Sequence, residues 1–160
     1  MIVCMAGRKT LPHEPPAGID PSREVWFITV CCQSRISNQL AKAGLWPFLT
    51  ESIKWRVESD LWWIYVFLAM PDHCHFLASF PPGSGIKKTL ADWKRWIAAQ
   101  RGVKWQTDFF EHRLRADESF DEKYSYIVAN PVRAGLVRKS EEWPYIWRPV
   151  DALPFTGLDR

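Results

Sequence analysis

Apolar and polar positions along the chain predict a succession of strands and helices. Glu24–Ser34, EVWFITVCCQS, is dense in β-branched and aromatic residues and predicts a strand. A loop over Asn38–Trp46 follows, and Pro47 then suits the first turn of a helix over Phe48–Ser59, with Phe48, Leu49, Ile53, Trp55 and Val57 apolar. Leu61–Ala69 is almost unbroken apolar sequence, as expected of a central strand covered on both faces. Met70–Pro71–Asp72 predicts a turn into a second strand, His73–Phe80, which Pro81–Gly85 breaks. Ile86–Gln100 has Leu90, Trp93, Trp96 and Ile97 at helical spacing, and Gly102 ends it. Trp105–Phe110 predicts a further strand. Ser119–Asn130 predicts a helix, opened by Ser119 and Glu122 in capping-box spacing and stopped by Pro131. The order strand, helix, strand, strand, helix, strand is that of a ferredoxin-like βαββαβ antiparallel sheet, an α+β fold, here with one additional C-terminal helix. Residues 1–22 contain four prolines and read as an extended leader, residues 23–145 as one domain, and residues 146–160 as a tail.

At 160 residues, 47% apolar and 24% charged, the chain can bury a sizeable core and is not a largely disordered one. Its longest apolar run, Leu61–Met70, spans ten residues, about half of what crosses a bilayer. With no secretory pattern at the start, no membrane partner and a cytoplasmic location are expected. The four cysteines lack the spacing of a zinc site or a disulfide framework. Net charge is only +3, but it is unevenly spread. Ile86–Arg115 holds eight Lys or Arg against three acids, interleaved with Trp93, Trp96 and Trp105. A basic, aromatic stretch of this kind suits a nucleic-acid surface. A solvated helix face with its tryptophans turned inward fits the same pattern equally well.

Candidate chemistry concentrates at two places. In His73-Cys74-His75, residues i and i+2 of a strand share a face, so both imidazoles project together and can share a divalent cation, although two ligands do not complete a metal site. In the last helix, at about 100° per residue from Phe120, the positions Phe120, Tyr124, Ile127 and Val128 form one apolar face. Tyr126 and Asn130 fall together on another face, at about 240° and 280°. Tyr124 is therefore explained by packing and Tyr126 is not. Tyr126 can be read as a nucleophile beside an amide ligand or as an exposed tyrosine near a helix end. Arg133, just beyond, is free to reach an anion.

The motif MPDHCHFL (Met70–Leu77) resembles that of the single-tyrosine transposases of the HUH nuclease superfamily. FFEHRLR (Phe109–Arg115) and YIVANPVRAGLV (Tyr126–Val137) resemble the REP-associated tyrosine transposase branch of it. The matches occur in order and span most of the chain. The resemblance implies a ferredoxin-like core for the transposase domain, and cleavage and joining of single-stranded DNA at hairpin-bearing repeats. It implies a 5′-phosphotyrosine intermediate on Tyr126, with Mg²⁺ or Mn²⁺ held by His73, His75 and Asn130. Single-stranded or hairpin DNA is the expected partner, for a monomer or a homodimer. Lys87, Lys88, Lys94, Arg95, Arg113, Arg115 and Arg133 are the expected DNA contacts. A non-catalytic nucleic-acid-binding module and a metal-dependent hydrolase without a covalent step are the alternatives, and only the transferase requires Tyr126.

Overall fold

The computed structural model describes residues 24–115 and 118–149. The leader expected over residues 1–22 and the end of the expected tail, residues 150–160, lie outside the described residues. In chain order the elements are β1 (Trp26–Cys31), α1 (Trp46–Glu58), β2 (Trp63–Ala69), β3 (His73–Ser79), α2 (Ile86–Arg101), β4 (Phe110–Arg113), α3 (Phe120–Arg133), a 3₁₀ turn (Ser140–Glu142) and β5 (Ile146–Trp147). The strands form one sheet in the order β4-β1-β3-β2-β5, with every neighbouring pair antiparallel. The first four strands thus have the split βαβ arrangement expected of a ferredoxin-like fold. Among the described residues no helix is long and apolar enough to cross a membrane.

Strand alternation sorts β3 between two cores. Cys74, Phe76 and Ala78 join the core under α1 and α2, with Leu49 and Ile53 of α1 and Leu90, Trp93 and Ile97 of α2. Leu77 joins a smaller core under α3, with Phe27, Val66, Leu68 and Ile127. His75, two residues from Leu77, shares that second face. The sheet is therefore a middle layer, with two helices on one side and α3 on the other. β2 departs from simple alternation because its register to β3 shifts between Ile64 and Val66. The extra residue is Tyr65, which packs with the second core and meets Phe120 at 5.3 Å between ring centres.

Three expectations are corrected. β4 covers Phe110–Arg113 and not Trp105–Phe110. Trp105 makes only an isolated bridge to Cys32 before the chain leaves the sheet. The Lys94 ammonium pulls that excursion inward by donating to the carbonyls of Gln106 and Thr107 at 2.7 and 2.8 Å. Pro131 does not stop α3, which continues to Arg133. Its ring takes an N–H only from the bond to Ile127, and the helix closes where Leu136 N–H donates to the Pro131 carbonyl and Gly135 N–H to that of Val132. Gly135 supplies the positive φ, 71°, that this closure requires. Finally, residues assigned to the tail open with β5, where Ile146 and Trp147 pair with Leu68 and Phe67 on the β2 edge.

Candidate active site

His73 and His75 stand at the start of the central strand, and their Nε2 atoms face each other at 3.1 Å. Each ring is oriented from behind. His73 Nδ1 donates to the Asp72 carboxylate at 2.6 Å, and His75 Nδ1 lies 2.7 Å from the Thr29 hydroxyl, opposite it on β1. Asp72 in turn receives the Arg35 guanidinium at 2.8 Å. Burial works against the Asp72 charge, yet the hydrogen bond from His73, its charge and that of Arg35 together hold the carboxyl below its ordinary range. With Nδ1–H of His73 committed to a carboxylate, the facing Nε2 pair must share a proton or a cation. His75 is 2% exposed. Burial pushes its pKa well below the usual imidazole value, and the charges of His73 and Arg35 push the same way. A neutral imidazole is the form that ligates a metal.

The separation also fits a shared ion. Two nitrogens about 2.0–2.1 Å from one cation, at angles near 90–109°, lie about 3–3.4 Å apart. Among the described residues no group of three His, Cys, Asp or Glu side chains converges. A third protein ligand for the pair would therefore be of another type, and Asn130 on α3 carries an amide. Its Nδ2 donates to the Tyr126 carbonyl at 2.9 Å, which leaves Oδ1 as the atom outside that bond. Two nitrogen donors suit a first-row transition ion better than Mg²⁺, which favours oxygen.

α3 brings Tyr126 against His75. Its ring centre lies 6.4 Å from that of His75 and 6.0 Å from that of Phe27, which itself stacks on His75 at 5.5 Å. The Arg133 guanidinium sits over the Tyr126 ring at 4.5 Å. Tyr124 faces elsewhere, against Phe120 at 6.1 Å and the Arg148 guanidinium at 5.9 Å. The two tyrosines are thus separated as helical periodicity predicts, although both lean on the second core, whose buried centre on α3 is Ile127 and not the Phe120–Tyr124 side.

The expected DNA contacts divide. Arg133 alone among them touches the Tyr126 ring. Lys87, Lys88 and Arg95 are exposed on α2, across the sheet from Tyr126, with Lys88 and Arg95 both paired to Asp92. Arg113 is paired to Glu24 at 2.8 Å, while Arg115 is exposed just beyond β4. Lys94 is corrected: it is buried, with its ammonium bonded to the two loop carbonyls. Of the tryptophans in the basic stretch, Trp93 and Trp105 are core and Trp96 is exposed. Thr29, Asp72, Arg35 and Phe27 were not singled out in the sequence. Asp72 precedes the histidines directly, but Thr29 lies 46 positions from His75 and only strand pairing brings it there.

Fold and site together define a split βαβ domain whose central strand carries paired imidazoles beneath a helix-borne tyrosine. No established family profile matches the chain. It is 42% identical to a putative REP-associated tyrosine transposase of Haemophilus influenzae (strain ATCC 51907 / DSM 11121 / KW20 / Rd), over 76% of this chain and 77% of that protein. It is 28% identical to the REP-associated tyrosine transposase of Escherichia coli (strain K12), over 75% and 73%. A solved REP-associated tyrosine transposase bound to a REP hairpin has the same fold, with a TM-score of 0.68, 22% identity and 98% of each chain covered. The chain belongs to the REP-associated tyrosine transposases.

Proposed function

We propose that this protein cuts and rejoins single-stranded DNA beside hairpin-forming repeats, with Tyr126 as the nucleophile. The observation that carries the reading is the placement of Tyr126, and not Tyr124, against His75. The solved relative bound to a REP hairpin supports the choice of DNA. In the step, the Tyr126 phenolic oxygen forms a bond to phosphorus and the bond from phosphorus to the 3′-oxygen breaks. The phenol loses its proton, the departing oxygen gains one, and a 5′-phosphotyrosine with a free 3′-hydroxyl results. The phosphodiester bond energy is retained in the tyrosyl ester, so rejoining needs no nucleotide cofactor.

His73, His75 and the Asn130 amide oxygen would hold Mn²⁺ or Mg²⁺. When bound, the ion supplies polarisation of the scissile phosphate and charge stabilisation on the leaving oxygen. The chain's own groups prepare that place: Asp72 and Thr29 fix the two rings, Phe27 packs against both His75 and Tyr126, and the Arg133 guanidinium over the Tyr126 ring offers a cation for a phosphate. The test is to incubate the protein with labelled hairpin oligonucleotides carrying single-stranded flanks, with Mn²⁺, and to look for protein-linked label on a denaturing gel. An adduct that depends on Tyr126 is expected. Cleavage without an adduct would replace the reading by the metal-dependent hydrolase; binding without cleavage would replace it by the non-catalytic module.

A further inference from the structure

A cleft of about 490 Å³ opens on the β4 side of Tyr126. Three aromatic rings line it: Phe27 of β1, Phe110 of β4 and Tyr126 itself. Phe27 is the shared wall, 6.0 Å from Tyr126 and 6.3 Å from Phe110, with both of its neighbours edge-on to it. The remaining lining is polar. His112 Nε2 donates to both oxygens of Glu118 at 2.8 Å, and Arg115 N–H donates to Glu118 at 2.9 Å. Those hydrogen bonds, the backbone one foremost, hold the Glu118 carboxyl below its ordinary range, so it remains an acceptor. Glu122 adds a second carboxylate, and Lys123, 3.9 Å from Glu118, is the cation that lines the cleft.

This lining suits a particular ligand chemistry. Flat aromatic walls take a planar ring, and a rim of acceptors takes a ring that carries N–H donors. Two carboxylates repel a phosphate, so the phosphate belongs outside, toward Arg133, which is not among the lining residues. The volume lies at the lower end of the range of small-molecule sites, far too narrow for a duplex. Because Tyr126 is one wall, whatever fills the cleft lies next to the phenol. We propose that the cleft between Phe27, Phe110 and Tyr126 binds one unpaired nucleobase bearing an exocyclic amine, immediately beside the scissile phosphate. Adenine, cytosine and guanine present such an amine and thymine does not. An unstacked base gripped between side-chain rings is a general solution for enzymes that act on nucleic acid out of the helix. The inference rests on the proposed DNA chemistry for its ligand.

The experiment reads binding and not cleavage, so the two can fail separately. Full-length Tyr126→Phe protein, which keeps the ring wall, is titrated into hairpin oligonucleotides in which 2-aminopurine replaces one base of the single-stranded flanks at a time. One flank position is expected to change its fluorescence sharply on binding, by stacking. At that position thymine or an abasic site should weaken binding about tenfold. Both effects should vanish when Phe110→Ala is added. Glu122→Ala, a change at an exposed side chain with no bearing on the fold's core, should abolish the preference against thymine while leaving the stacking signal. A bound hairpin in which no flank position responds, or a response that survives Phe110→Ala, overturns the pocket. A positional response in a protein whose wild-type form never makes an adduct overturns the transferase and leaves the pocket standing. No binding to any hairpin overturns both.

Discussion

Acid should unfold this protein by way of His75. The ring is 2% exposed and its folded pKa lies well below the usual value, because burial, then the charges of His73 and Arg35, oppose protonation. In the unfolded chain the same ring takes up a proton near pH 6.5. Below that pH the unfolded state holds one more proton than the folded state, so the folded state loses ground. The stability is full above about pH 6.5 and falls as pH drops, until the folded ring itself protonates. One proton is worth about 1.4 kcal/mol per pH unit, so a descent from about pH 6.5 to about pH 5 removes about 2 kcal/mol. That is a large share of the ~5–15 kcal/mol that holds a domain together. The assay is urea unfolding followed by tryptophan fluorescence in the presence of a chelator, at several pH values between about 7.5 and 5. His75→Phe keeps the ring and removes the titration. Its curve should be flatter by about one proton over this range, on top of a pH-independent loss of about 1 kcal/mol for the stranded Thr29 hydroxyl. Equal slopes in the two proteins would refute the reasoning.

Mn²⁺ should stabilise the wild-type protein at or above about pH 7, by about 2.7 kcal/mol at a hundredfold excess over its Kd; a shift of the same size in His73→Ala would show that the ion binds elsewhere. Tyr126→Phe should abolish the covalent adduct with little change in Tm, whereas Tyr124→Phe should retain it; the reverse pattern on a denaturing gel would refute the assignment of the two helix faces. Lys94→Met should destabilise by about 3 kcal/mol, since it strands two loop carbonyls, without altering the affinity of the folded protein for hairpin DNA. An unchanged Tm with weakened binding would return Lys94 to the DNA surface.

What could be read from the sequence is what is local in origin. A period of two puts His73 and His75 on one face whatever the fold, and a period of 3.6 separates Tyr126 from Tyr124. The order of elements alone then identifies the topology of the first four strands, and β5 is not among them. What could not be read depends on groups that meet only in three dimensions. β4 is displaced from its expected place because Lys94, on another element, tethers the chain at Gln106 and Thr107. The basic stretch looks like a single surface when charges are counted along the chain, yet Lys94 turns inward while Lys87, Lys88 and Arg95 stand on the layer opposite the tyrosine. Pro131 marks a helix end by its local sterics, but that conflict reaches back only to Ile127, and the turn that ends α3 is made by Gly135 and Leu136. Thr29 carries no signal of its own until β1 is laid beside β3.

The imidazoles and the phenol are mounted on different bodies. The histidines are stitched on both sides into the middle of a hydrogen-bonded sheet, whereas Tyr126 rides on a helix that reaches that sheet through side-chain packing. α3 acts as a lever. Tyr126 lies seven positions from the Ser119 cap, about 10 Å along the axis. A pivot of about 10° at the cap carries the ring almost 2 Å, and displacements of that order decide whether a nucleophile is in reach of its target. Under the proposed chemistry, the tilt of one helix would set the alignment of phenol and imidazoles, with the sheet as a fixed reference.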